Sequence, residues 1–285
     1  MNHLSPSTFM AYMKCAHKVK LLKIDKVLGE KQEDQSLAMA TGNAFDILIK
    51  CHLNRRYNKD KMLVEKISDA GTRRAALIVA TEIFEVYRDY GPLVNLQREG
   101  IGYVGVDQEV ELSWEGYKSI LYGMPDVVLS DGTVIDWKVS GAYGRGIDPT
   151  NGYIRCFFRG KDMGPSGKVD EYLENINTDW AIQTYLYARL LGKHPGDAIN
   201  AGIEQIAIKN GDIYCASFRN PISKEFQLQT EENFHKAFHA LTKEQAKIPG
   251  ANPGKWTCNA YNRLCQAAEF CEPYKVWKRY ENEDR

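Results

Sequence analysis

Residues 122–139, YGMPDVVLSDGTVIDWKV, set two apolar runs on either side of an Asp-Gly dipeptide and place charged side chains inside them. Val127, Val128 and Leu129 lead into Asp131-Gly132, and Val134, Ile135, Trp137 and Val139 lead away from it. Asp-Gly between such runs predicts a β-hairpin. Side chains alternate along a strand, so Asp136 and Lys138 fall on one face and Trp137 on the other. Asp126 opens the first strand. Two carboxylates and an ammonium aimed at one place in an apolar sheet are costly to bury unless a cation neutralises the acids. The plainer alternative is a surface hairpin with a same-face Asp136–Lys138 ion pair.

The rest of the chain reads as an α/β protein. Ser5-Pro6-Ser7 starts a helix over 5–22 that carries Cys15. A largely buried helix over 39–53 holds Ala44, Phe45, Ile47 and Leu48, with Asp46 as its polar exception. Residues 60–98 are helical, with an apolar stripe from Ala75 to Val86 in a helix that Gly91-Pro92 ends. Residues 103–121 read as two strands leading into the hairpin. Glu109 is the better placed of their glutamates to face a metal, with a solvated strand face as the alternative. A helix over 179–191 puts Gln183 and Tyr187 on one face. Two strands over 201–219 are joined by Asn210-Gly211. An amphipathic helix over 224–248 places His235 and His239 four apart, and with no third ligand they read as surface residues.

Equal numbers of basic and acidic residues, 37 each, leave no global electrostatic footprint for nucleic acid. Such a partner would need a local groove. Candidates are Arg145, Arg155, Arg159, Lys161 and Lys168, in an irregular stretch over 140–178 that also holds Tyr143, Tyr153, Phe157 and Phe158. Aromatics interleaved with arginine suit a single-stranded path, where bases stack and guanidiniums meet phosphates. An insertion with its own small core is the alternative. No apolar run approaches membrane-spanning length, and the opening residues lack a signal peptide's apolar core, so a cytosolic chain is expected. Three of the seven cysteines, Cys258, Cys265 and Cys271, fall close together near the end. In a reduced protein this grouping suggests a thiolate-ligated centre.

Pro125-Asp126, nine residues and then Asp136-x-Lys138 resemble the PD-(D/E)xK nuclease superfamily. Three further stretches resemble its RecB-like branch, used by phages, in repair and in CRISPR adaptation. Gly42-x-x-x-Asp46 stands where that branch has Gly-x-x-x-His. Gln183-x-x-x-Tyr187 follows the Asp-x-Lys strand in the family order. Leu4-Ser-Pro-Ser, an aromatic helix and Cys15 are similar to the start of members that carry an iron–sulfur cluster. The resemblance implies a restriction-endonuclease-like core of about 36–220 with a central mixed sheet, in a single nuclease domain over 1–285. The helix over 1–24 and a Cys-rich metal-bound lobe over 221–285 would be joined by the cysteines. Asp126, Asp136 and the backbone carbonyl of Trp137, with Asp46 in place of the histidine, would hold Mg²⁺ or Mn²⁺, hard cations suited to oxygen ligands. Lys138 would position or activate water, and Gln183 and Tyr187 would border the metal and contact the strand.

Cys15, Cys258, Cys265 and Cys271 would bind a [4Fe–4S] cluster, with zinc as the alternative. The family's Cys-x2-Cys-x5-Cys is kept here only in its second interval. The implied activity is a metal-dependent DNA nuclease, an exonuclease or end-processing enzyme. The alternatives are an inactive DNA-binding module of the same fold and a sequence-specific endonuclease. The implied partners are DNA, single-stranded or with free ends, and a recombination or replication protein, in the cytoplasm of a bacterial or phage-infected cell.

Overall fold

The computed structural model describes residues 2–27, 35–89, 92–140, 155–158, 161–162, 172–209, 212–243, 248, 258 and 265–276. In chain order the first helices are α1 (Pro6–Lys14), α2 (Ala16–Val19), a π-helical turn (Lys20–Ile24), α3 (Leu37–Leu53), α4 (Lys59–Lys66), α5 (Ala70–Asp89) and α6 (Pro92–Glu99). Strands β1 (Ile101–Val104), β2 (Gln108–Trp114), β3 (Tyr117–Gly123), β4 (Val127–Leu129), β5 (Val134–Ser140), β6 (Arg155–Phe158) and β7 (Lys161–Asp162) follow. Then come α7 (Leu173–Ile176), α8 (Thr178–Leu190), β8 (Asn200–Lys209), β9 (Asp212–Pro221) and α9 (Lys224–Thr242). The chain forms two compact units, one of residues 33–108 and 124–227, the other of 1–32, 109–123 and 228–285.

The first unit is built on a seven-stranded mixed sheet in the order β1-β4-β5-β8-β9-β6-β7. β5 and β8 run parallel, Val134 against Ala201 through Ser140 against Ala207, and the other neighbours are antiparallel. A parallel pair needs a crossover, and α8 lies in it. The expected hairpin is β4 and β5, with Val127 opposite Ile135 and Val128 opposite Val134. Its turn holds Gly132 at φ +85°, a left-handed conformation that glycine adopts without strain.

Ser36 caps α3 by accepting from the Met39 amide at 3.3 Å. That helix buries Ala40, Ala44, Phe45, Ile47 and Ile49 in one core with Ile83 and Tyr87 of α5 and Val127, Ile135 and Trp137 of the hairpin. Full burial of each large apolar side chain contributes about 1.5–3 kcal/mol. Phe45 meets the Tyr87 ring edge-on at 5.7 Å, and the Trp137 indole N–H donates to the Tyr87 hydroxyl at 3.1 Å. That face of β5 is thereby committed to the core, which leaves Asp136 and Lys138 to the other. On β8, buried Glu204 accepts from Arg219 at 2.7 Å and from Ser217 at 2.8 Å, while Arg219 also grips Glu99 at 2.8 and 2.9 Å. A buried carboxylate is tolerable because its oxygens are so satisfied.

The second unit holds β2 and β3 as a separate two-stranded sheet, with α1 and most of α9. The stretch over 103–121, expected to be two strands leading into the hairpin, holds the end of β1 and most of this separate ribbon. Glu109 is exposed on the ribbon, 3.7 Å from His3, which fits a solvated face. Phe9 of α1 packs edge-on against Phe234 of α9 at 5.5 Å.

Other expectations change as well. The helix over 5–22 is broken at Cys15, whose extended backbone (φ −162°, ψ 95°) ends α1 and begins α2. As expected, α5 ends at Asp89, just before Gly91-Pro92, and Pro92 opens α6, since a first-turn proline sacrifices no helical hydrogen bond. Part of the stretch read as irregular, 155–158 and 161–162, extends the central sheet. His235 is not a surface residue: it is buried, bonded to the Ser119 hydroxyl at 2.7 Å and facing Glu231 at 3.3 Å. Among the described residues, no helix is long and apolar enough to cross a membrane.

Candidate active site

Within the sheet-bearing unit, α3, the β4–β5 hairpin and α8 bring together Asp46, Asp126, Asp136, Lys138, Gln183 and Tyr187. Strand alternation puts Asp136 and Lys138 on one face of β5, and the Lys138 ammonium pairs with Asp136 Oδ2. Asn177 caps α8 by accepting from the Trp180 amide, which sets the helix so that Gln183 and Tyr187, one turn apart, share a face. Gln183 is the hub. Its amide N–H₂ donates to Asp136 Oδ1 at 2.9 Å and contacts the Tyr187 hydroxyl at 3.1 Å, while its carbonyl accepts from Lys138 at 2.6 Å. Asp126 stands just before β4, and its Oδ2 accepts the backbone N–H of Trp137 at 3.2 Å, which ties the two acids of the hairpin to one another.

Asp46 reaches this group through a residue that sequence reasoning passed over. Lys50, one turn further along α3, is 2% exposed. Its ammonium donates to Asp46 Oδ2 at 2.8 Å and Asp126 Oδ1 at 2.9 Å, and stands 2.7 Å from Asp46 Oδ1. A lysine four residues after an aspartate normally signals an exposed helical ion pair. The available clue was the unbroken apolar company of Ile47, Leu48 and Ile49 around it.

Electrostatics follow from burial and crowding. Burial, then the nearby Asp126 charge, push the Asp46 carboxyl up to about 7, against the opposing pull of Lys50. Burial raises Asp136 to about 6, with Lys138 opposing and Asp126 adding to the rise. Burial, then the charges of Asp136 and Asp126, hold the Tyr187 hydroxyl well above its ordinary range. Burial alone would lower Lys50, yet Asp126 and Asp46 raise it above an ordinary lysine.

These shifts fix the sign of a pH effect. A carboxyl whose folded pKa is raised binds its proton more tightly in the folded state, so its contribution to stability declines as pH rises from about 4 through about 7. In chelator, thermal unfolding should therefore show the site-dependent part of the stability falling between pH 5 and pH 8. Replacing Asp46 and Asp136 by Asn together should flatten that dependence, and an unchanged slope would remove these residues from its cause.

Donor chemistry fits a hard divalent cation: three carboxylates meet, and Asp46 Oδ1 and Asp136 Oδ2 are buried without a directed hydrogen bond. As placed, these oxygens face lysine ammoniums, and no group of three or more His, Cys, Asp or Glu side chains among the described residues is arranged as a metal cage. Of the basic residues expected to contact nucleic acid, Arg155 and Lys161 lie on β6 and β7, while Arg145, Arg159 and Lys168 lie outside the described residues.

The other unit collects the cysteines. Cys258 and Cys271 are buried, and Cys15 and Cys265 half-buried. Cys265 N–H donates to the Cys258 carbonyl at 2.7 Å, and Cys15 Sγ accepts from the Lys18 amide at 3.4 Å. Burial raises the Cys271 thiol, and the charges of Cys258, Cys15 and Cys265 raise it further. Cys258, Cys265 and Cys271 gather in one apolar cluster with Leu21, Ala267, Ala268 and Tyr274, and Cys15 is near enough to act on the charge of Cys271.

No protein-family model matches the chain, and no curated protein sequence matches it significantly. Among solved structures, the fold is similar to that of a candidate exonuclease from Eubacterium rectale, with a TM-score of 0.51 at 14% identity, over 96% of this chain and 88% of that one. A second structure, of SSO0001, aligns over 94% of this chain and 96% of that one at 11% identity, but its TM-score of 0.34 is too low to carry an argument.

Proposed function

We propose that the protein is a divalent-metal-dependent nuclease that hydrolyses phosphodiester bonds in DNA, acting on ends as an exonuclease or end-processing enzyme. The observation that carries this reading is the meeting of Asp46, Asp126, Asp136 and Lys138 in one buried network, on a fold similar to that of a candidate exonuclease. Asp126 and Asp136, with Asp46 and the Trp137 carbonyl, would hold Mg²⁺ or Mn²⁺. Such an ion, when bound, lowers the pKa of water and stabilises negative charge on phosphate.

The chain's own groups supply the rest. Lys138 presents a compact positive charge beside Asp136 and orients the attacking water. Gln183 holds Lys138 and Asp136 at fixed separation, so neither has to reorganise as charge develops. Tyr187, kept protonated by its burial and then by its acidic surroundings, would offer a hydroxyl to the strand's backbone. Labelled single- and double-stranded DNA incubated with Mn²⁺, Mg²⁺ or chelator tests the reading. Cleavage is expected with either metal and none with chelator, and product lengths separate stepwise trimming from internal cutting. Binding of DNA without any cleavage would favour the inactive module instead.

The four cysteines support a second assignment, a [4Fe–4S] cluster that pins the two ends of the second unit together, with tetrahedral zinc as the competing occupant. Anaerobically purified protein should be brown, with a broad band near about 400 nm. Cys271→Ser should bleach it and lower the melting temperature. A colourless protein with one zinc per chain would identify the competing occupant.

A further inference from the structure

The basic stretch that follows α3 has no part in the reaction outlined above. Between Asn54 and Arg74 seven basic side chains stand against three acidic ones, in a chain whose net charge is zero. A local excess of this kind is the footprint that a polyanion needs. We propose that the turn over 54–58 is the protein's grip on the DNA backbone, with Arg55 and Arg56 each taking one phosphate. The inference rests on the nuclease reading and names where that reading's strand is held.

Availability singles out these two residues. Arg55 and Arg56 are exposed, and among the described residues no acid pairs with either guanidinium. Their basic neighbours are partly committed elsewhere. Lys61 stands 3.9 Å from Glu65, and Arg73 donates to the carbonyls of Ile67 at 2.7 Å and Ser68 at 3.2 Å. A guanidinium without a protein partner presents a flat fork of donors that matches the oxygens of a phosphate.

The second observation is how the turn is braced. Asn54 closes α3 by donating its N–H to the Lys50 carbonyl at 2.8 Å, so the turn leaves the helix that carries Asp46. Asn54 Oδ1 accepts from the Arg56 N–H at 3.1 Å, and its backbone carbonyl accepts from the Tyr57 N–H at 3.2 Å. Asn58 then caps α4 by accepting from the Lys61 N–H at 3.0 Å. From the other side, the Tyr57 hydroxyl shares its proton between the carbonyls of Gly105 at 2.8 Å and Val104 at 3.0 Å. Gly105 N–H in turn donates to the Asp126 carbonyl at 2.9 Å. Glycine is what admits the tyrosine: with φ +56°, a Cβ at this position would lie 3.3 Å from the Tyr57 hydroxyl oxygen. The backbone that carries both arginines is thus fixed to α3 at one end and, through Tyr57, to the segment leading to Asp126 at the other. A merely solvated turn needs no such bracing. One that must meet phosphates beside the acids gains from it, because little backbone freedom is left to lose on binding.

DNA binding in chelator, followed by fluorescence anisotropy over a series of salt concentrations, tests the inference without any cleavage. In Arg55→Ala/Arg56→Ala the slope of log affinity against log salt should be shallower than in the wild type, by about 1.4 on a single strand or about 1.8 on a duplex, the share of two phosphate contacts. Mn²⁺ binding and the melting temperature should not change. Arg55→Lys/Arg56→Lys keeps both charges and should keep the wild-type slope. A wild-type slope in the alanine variant would overturn the proposal. If that variant also melted at a lower temperature, the arginines would belong to the C-terminal dipole of α3 instead. An equal loss of slope in Lys118→Ala/Lys236→Ala, two exposed lysines of the other unit, would overturn the assignment to this turn. A wild type that binds no DNA at any salt concentration would sink the nuclease reading itself.

Discussion

Lys138→Ala should lower DNA cleavage by about 10²–10⁴-fold, the range associated with a positioned proton-handling group, while Mn²⁺ binding and the melting temperature change little. Lys138 retains partial contact with solvent, with its side chain 24% exposed, whereas its partner Asp136 is buried. Gln183 remains to donate to Asp136 Oδ1. The discriminating feature is the split between readouts. A variant that still cuts at the wild-type rate would show that Lys138 is only half of a structural ion pair. One that loses metal and fold together would show that the ammonium is needed to assemble the acids.

Asp136→Asn should abolish cleavage and Mn²⁺ binding, yet make the metal-free protein more stable at pH 8. Burial lifts this carboxyl to about 6. Each tenfold gain in proton affinity on folding is worth about 1.4 kcal/mol, so keeping the group ionised at pH 8 costs the folded state on the order of 1–3 kcal/mol. Asparagine keeps the shape and an acceptor for Gln183 without that cost. Denaturant melts in chelator at pH 8 measure the difference. A less stable variant would mean that the Lys138 pairing outweighs the desolvation of Asp136 and that the acid is structural.

The hairpin was legible because two independent local signals agree there. Asp131-Gly132 specifies the turn, and the period of two in VIDWKV separates Trp137 from Asp136 and Lys138. Gln183 and Tyr187 were legible as a shared helical face, although the bonds of Gln183 to Lys138 and Asp136 reach residues some forty-five positions away. Other features depend on partners that no local pattern reveals. His235 looks like a surface histidine until Ser119, on a distant strand, is brought beside it. Lys50 looks like a helical ion-pair partner until the turn at Gly105 encloses it. The break at Cys15 leaves no mark in composition, since the residues on both sides favour a helix and only the folded backbone departs from it.

The most direct measurement is anomalous diffraction from crystals grown with Mn²⁺. A manganese peak is expected among the Asp46, Asp126 and Asp136 carboxylates, with Lys138 beside it. Manganese bound only elsewhere, with the three acids still closed on their lysines at saturating metal, would contradict it.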